Sequence, residues 1–227
     1  MKRIIKKLED LKNTKVEEQP PLLPAENNVL KTFSIENEPV VELVNNREKE
    51  YTFANLPDIG YSTDIDTVIT SSYQVKKQLQ QIVKIEQPIT NTLLYKRILR
   101  IWNLTRVTTR LQLFIDSLLK DAYKDPLSGD TIIYWEDEEK AKDCDFYRIN
   151  SKRDILDIPI LEVMSAARYA IEQQISMPTE DLKRLTSQLL GFSRKRNNLD
   201  MITEQAIQLL IDKEIFSHAN GMVSMNN

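Results

Sequence analysis

Three cations followed by two amides, Arg194-Lys195-Arg196-Asn197-Asn198, form the run in this chain best suited to chemistry. Arginine and lysine clamp phosphate oxygens, and amides reach base edges, so the run has the composition of a nucleic-acid contact. Ser193 stands just before it as an N-cap for a helix that the run would open. Cations at a helix start mildly oppose the helix dipole, and a binding role would account for that cost. A second set, Arg106, Thr108, Thr109, Arg110 and Gln112, follows Thr105, which is placed as another N-cap. Close to it in sequence lie Glu136-Asp137-Glu138-Glu139, Asp143 and Asp145, whose charge repels phosphate. This half of the chain is therefore expected to bind protein or simply to pack, with Arg106 and Arg110 as secondary nucleic-acid contacts.

Other chemistry finds little material. One histidine, His218, and one cysteine, Cys144, lack the companions that a metal centre or a nucleophile-base pair needs. Cys144 reads as a buried or semi-buried structural thiol, and His218 as a turn residue. Trp102 and Trp135 sit at apolar positions of expected elements and read as core. The acidic run at 136–139 reads as a solvated tip rather than a metal site. No P-loop, Gly-x-Ser-x-Gly or His-Glu-x-x-His occurs. The chain is expected to be no enzyme and to carry no cofactor.

These residues need elements to hold them. Apolar residues make up 41% of the 227, enough to fill a core, while only four glycines occur, which argues against a turn-dense sheet protein. The formal charge of −3 lowers the expectation of autonomous tight DNA binding and points to a weak or tethered contact. The basic start Met1-Lys2-Arg3-Ile4-Ile5-Lys6-Lys7 lacks the apolar run of a signal peptide, and no stretch reaches the length of a membrane span. A cytoplasmic location away from membranes is expected.

Along the chain, residues 1–12 have the spacing of a short amphipathic helix, and prolines at 20, 21 and 24 end it. Short strands are expected over 29–35 and 39–44, and residues 1–72 as a whole read as a partly disordered linker. Helical spacing then begins, over 75–85, 91–102 and the stretch through Leu111, Phe114, Ile115, Leu118 and Leu119. The β-branched and aromatic residues 131–135 and 146–149 predict a hairpin around the acidic tip. The order then returns: helices over 160–174, from Pro178, and from Ser193, and a shorter hairpin of 215–216 with 222–223. Laying Thr105 on Ser193 sets an offset of 88, at which Leu94 meets Leu182, Ile101 meets Leu189, Leu111 meets Leu199 and Leu119 meets Ile207. A duplication is expected. The fold class is mainly α with small β-hairpins (α+β), with units over 73–152 and 153–227.

Val83-Lys84-Ile85-Glu86-Gln87-Pro88-Ile89, Leu94 with Arg97, and Trp102-Asn103-Leu104-Thr105-Arg106 resemble the DUF3320 family's "V-x-V-E-x-P-I/V" and "R-I-x-x-x-x-G-x-x-R" runs. Ile133-Tyr134-Trp135 and Tyr147-Arg148 are similar to its first wing, and Leu189-Leu190-Gly191-Phe192-Ser193-Arg194 to its "L-G-F-x-R" turn. Asn103 departs from the family's glycine, which Gly191 keeps. The resemblance covers about residues 75–217 and implies tandem winged-helix-like units, a module found at the C-termini of helicase-like proteins and often associated with defence against foreign DNA. It implies DNA and a helicase-like or nuclease protein as partners, and it implies no motor or nuclease activity for this chain.

Overall fold

The computed structural model describes residues 45–226 except 62, 128, 130, 150, 151 and 194–196. The helix expected over 1–12 and the strands expected over 29–35 and 39–44 lie outside these residues, as do Arg194, Lys195 and Arg196. The described residues belong to one compact unit.

Strand β1 (Glu48–Glu50) opens it. Helix α1 (Ile65–Thr70) is capped by Asp64, whose carboxylate accepts the Thr67 N–H at 2.7 Å. Helix α2 (Ser72–Glu86) turns Val75, Leu79, Ile82 and Val83 inward at helical spacing. Strand β2 (Ile89–Thr90) follows a cis Gln87–Pro88 bond and leads straight into α3 (Asn91–Ile101), capped by the Thr90 hydroxyl. After α4 (Thr109–Leu118) come β3 (Tyr123–Lys124), β4 (Ile133–Trp135), the short α5 (Glu138–Lys142) and β5 (Tyr147–Ile149). A 3-10 turn (Ile155–Asp157) leads to α6 (Ile160–Glu172), β6 (Met177–Pro178), α7 (Thr179–Leu189), α8 (Asn197–Asp212), β7 (Phe216–Ala219) and β8 (Met222–Met225). The class is α+β, about half helical with small sheets.

The order helix, strand, helix, helix, strand, strand occurs twice. Elements α2, β2, α3 and α4 start at residues 72, 89, 91 and 109; α6, β6, α7 and α8 start at 160, 177, 179 and 197, each 88 positions later. The sheets match as well. One has the order β2-β4-β3 and the other β6-β8-β7, both antiparallel, with the last strand of each repeat in the middle. Core positions follow the same register: Val75, Leu79, Ile82 and Val83 correspond to Val163, Ala167, Ala170 and Ile171, all buried. Each repeat has its own apolar cluster, one running from Val68 to Tyr134 and the other from Tyr147 to Val223.

Two local expectations are corrected. Residues 131–135 and 146–149 do not pair with each other. Strand β4 lies between β2 and β3, while β5 pairs with β1 in parallel, Glu48 opposite Tyr147. The intervening acids do not form a tip: Asp137 caps α5 and Lys142 reaches Glu138 at 2.9 Å, so the segment coils and carries the chain away. The cap of α4 is Thr108 rather than Thr105, its hydroxyl accepting the Leu111 N–H at 3.2 Å. Leu104 and Val107 pack on the first core and hold the chain out of the helix until then.

Both helix-helix turns are built the same way. After α3, the N–H of Asn103 bonds to the Arg100 carbonyl at 3.2 Å and that of Leu104 to the Leu99 carbonyl at 2.9 Å. After α7, Gly191 and Phe192 repeat this with Gln188 and Ser187, both at 2.9 Å. This is the left-handed C-terminal cap in which the sixth residue's N–H returns to the first carbonyl. Leu104 and Phe192, next in line, pack onto their own cores.

Candidate nucleic-acid interface

Helix α8 begins at Asn197, and the Asn197 and Asn198 side chains are exposed there. Leu199, the next residue, is buried and anchors this first turn to the second core. The amides therefore stand on a fixed turn with solvent in front of them, a placement that suits hydrogen bonding to an outside partner.

The neighbouring charges are largely spoken for. On α7, Lys183 lies 3.0 Å from Glu180 and 3.4 Å from Glu204, and Arg184 lies 3.0 Å from Asp181. In the first repeat, Arg110 occupies the first turn of α4 and pairs with Asp66 at 2.6 Å, both side chains being well exposed. Such a surface pair breaks at little cost. Arg106 is exposed in the turn between α3 and α4. Arg106 and Arg110 are thus brought to one helix start, and Asn197 and Asn198 to its counterpart. His218 lies exposed in β7 opposite Val223.

A set of buried charges had no local signature in the sequence. Glu162, at the start of α6, is fully buried between two guanidiniums: Arg148 of β5 at 2.5 Å and Arg153 at 2.7 Å. Burial opposes its ionisation, but Arg148 and Arg153 outweigh that and bring its carboxyl down to about 2. Arg148 also donates to the carbonyls of Glu86, Gln87 and Pro88, at 2.7, 3.2 and 2.6 Å, and so ties α6 to the end of α2. Glu86, equally buried, accepts from Arg97 at 2.6 Å and from the Tyr51 hydroxyl at 2.5 Å. The Tyr51 ring lies under Arg148 and Arg153, 4.7 and 4.3 Å from the guanidinium carbons. Desolvation and the Glu86 charge push its phenol well above the ordinary tyrosine range. Lys96 of α3 and buried Asp157, 2.6 Å apart, add a further bridge between the repeats. This network ties α6, β5, the end of α2 and α3 to one another.

Cys144 is half-buried, and burial, followed by the nearby Glu162 charge, pushes its thiol up to about 12. Trp102 and Trp135 are buried, their indole N–H groups donating to Gln78 at 2.8 Å and Asp125 at 3.0 Å. Among the described residues no group of three or more potential metal ligands gathers, and no helix is long and apolar enough to cross a membrane.

What these features define is a duplicated α+β unit with a polar helix start and a structural charge network. Residues 70–112 match the family DUF3320, described as a protein of unknown function. The match spans α2, β2, α3 and the first turn of α4, where the Val83–Ile89 and Trp102–Arg106 motifs lie. No curated protein and no solved structure matches the chain.

Proposed function

We propose that this chain is a non-catalytic accessory module of two winged-helix-like units serving helicase- or nuclease-type DNA-processing or defence machinery, with a weak nucleic-acid contact at the start of α8. The observation that carries this reading is the doubled order of elements with the last strand central in each sheet. In a helix-turn-helix the second helix of the turn presents its first residues to the groove, and α8 holds that place in the second repeat. Its exposed amides Asn197 and Asn198 follow the cationic run 194–196 in sequence. The resemblance to DUF3320 supports the accessory setting, and a net charge of −3 supports weak or tethered binding.

Fluorescence anisotropy of labelled duplex and single-stranded DNA across a salt series tests this. Three phosphate contacts give a log-log salt slope near about −3 on duplex. An Arg194→Ala/Lys195→Ala/Arg196→Ala variant is expected to flatten that slope, and Asn197→Ala/Asn198→Ala to weaken binding while leaving the slope in place. Absence of binding at low salt would sink the reading.

A second reading, a protein-interaction scaffold without DNA contact, is favoured by the ion pairs that occupy Lys183, Arg184 and Arg110 around both helix starts. A cytoplasmic location is part of both proposals.

A further inference from the structure

Leu113 and Met201 stand 88 residues apart and hold the same place in their repeats, each the fifth residue of its helix, α4 and α8. Both side chains are large and apolar, and they are exposed to nearly the same degree, 66% and 67%. Among the described residues, no other two exposed large apolar side chains are related by the repeat offset. One apolar side chain in water is ordinary, and a matched pair is informative. Neither residue serves a core. The inward faces of the two helices are filled by Leu111 and Ile115 on α4 and by Leu199 and Thr203 on α8.

The outward faces match residue by residue. Met201 follows Asn197 and Asn198 by four and three positions and so shares their face, and Leu113 follows Thr109 and Arg110 in the same way. All four of these polar residues are exposed. The acids of the same helices are turned aside or engaged. Asp200 is half-buried on the flank of α8, Asp116 accepts from the Tyr95 hydroxyl at 2.7 Å, and Glu204 lies 3.4 Å from Lys183.

In the major groove an A·T pair presents a donor and an acceptor on adenine and a methyl group on thymine. An amide meets the first and an apolar side chain the second. Asn198 and Met201 offer both from one face of one helix, at the helix start that a helix-turn-helix brings to the base edges. We propose that Leu113 and Met201 contact the C5-methyl groups of thymine, so that the ligand of this surface is duplex DNA containing A·T pairs. The inference rests on the nucleic-acid reading of α8; it adds the base chemistry that is read and a second contact of the same kind from α4. Double-stranded RNA is a poor substitute, since its uracil lacks the methyl and its major groove is too narrow for a helix.

The test is fluorescence anisotropy of the full chain at low salt with two labelled duplexes of equal length, alternating d(A-T) and alternating d(A-U), which differ only in the thymine methyl. Burial of one methyl changes affinity by about fourfold, so contacts from both helices are expected to favour the thymine duplex on the order of tenfold. Leu113→Ala and Met201→Ala, at exposed positions, are each expected to reduce that preference about fourfold. The double variant is expected to bind both duplexes alike, with the salt slope and thermal midpoint of the unaltered chain. Equal binding of the two duplexes by the unaltered chain would overturn this inference and leave the phosphate contact of α8 standing. A preference that survives in the double variant would trace it to duplex shape and overturn the inference as well. No binding of either duplex would remove the inference together with the reading it rests on.

Discussion

Asn103 and Gly191, 88 residues apart, hold the same left-handed position after corresponding helices, with φ of 47° and 87°. Their hydrogen bonds correspond one for one, and each is followed by a residue packed on its own core. A Cβ at Gly191 would meet nothing within 4 Å, so the backbone angle alone makes the glycine useful.

Gly191→Ala is therefore expected to destabilise the fold by about 1 kcal/mol through backbone strain without any clash. Asn103→Gly is expected to be neutral or stabilising by a few tenths, since asparagine tolerates this region and glycine is free in it. Urea unfolding of the two variants beside the wild type measures both, and equal, large losses would refute the account.

Glu162→Gln leaves Arg148 and Arg153 buried with no carboxylate between them. Removing one partner of a buried ion pair costs about 3–5 kcal/mol. The same unfolding experiment at neutral pH is expected to show a loss of that order, and a loss below about 1 kcal/mol would mean that water reaches the pair.

Acid should weaken the same contact. Glu162 titrates at about 2 in the folded chain against 4.5 ordinarily, so the unfolded state binds the proton first as pH falls. Its contribution is fully present above about pH 4.5 and is lost between there and pH 2, about 3 kcal/mol in all. Stability measured from pH 6 to 3 is expected to fall in the wild type, and Glu162→Gln is expected to remove this part of the decline.

With its thiol at about 12, Cys144 holds little thiolate at pH 8. Alkylation by iodoacetamide is expected to be on the order of a thousandfold slower in the native chain than in urea. Mass spectrometry of timed samples gives the two rates, and similar rates would place the thiol in water.

Much of the architecture was legible because it is written in local periodicity. The stripes of α2, α3, α6 and α7 set their spans to within a few residues, and the offset found by aligning Thr105 with Ser193 is the offset of the element starts. Thr105 and Thr108 are chemically alike, and only the packing of Leu104 and Val107 makes Thr108 the cap of α4. Strand β1 gave no signal: Glu-Lys-Glu has no strand propensity, and its place depends on Tyr51 and on a partner some hundred residues away. The Arg148-Glu162-Arg153 cluster was invisible for the same reason, since charges scattered in sequence read as surface until the chain brings them together. Of the proposed contact, Asn197 and Asn198 stand exposed at the start of α8, Arg106 lies in the turn before α4, and Arg194, Lys195 and Arg196 fall outside the described residues.

The buried carboxylates occur once each. At the 88-residue offset the counterpart of Glu86 is Gln174 and that of Glu162 is Gln74. The two repeats share a blueprint but are no longer interchangeable parts. A chain assembled from two first halves would keep Arg148 without Glu162 to neutralise it, and one assembled from two second halves would keep Glu162 without Arg148. Recombination between the halves of such a gene would yield products that keep every helix in outline and still fail to close.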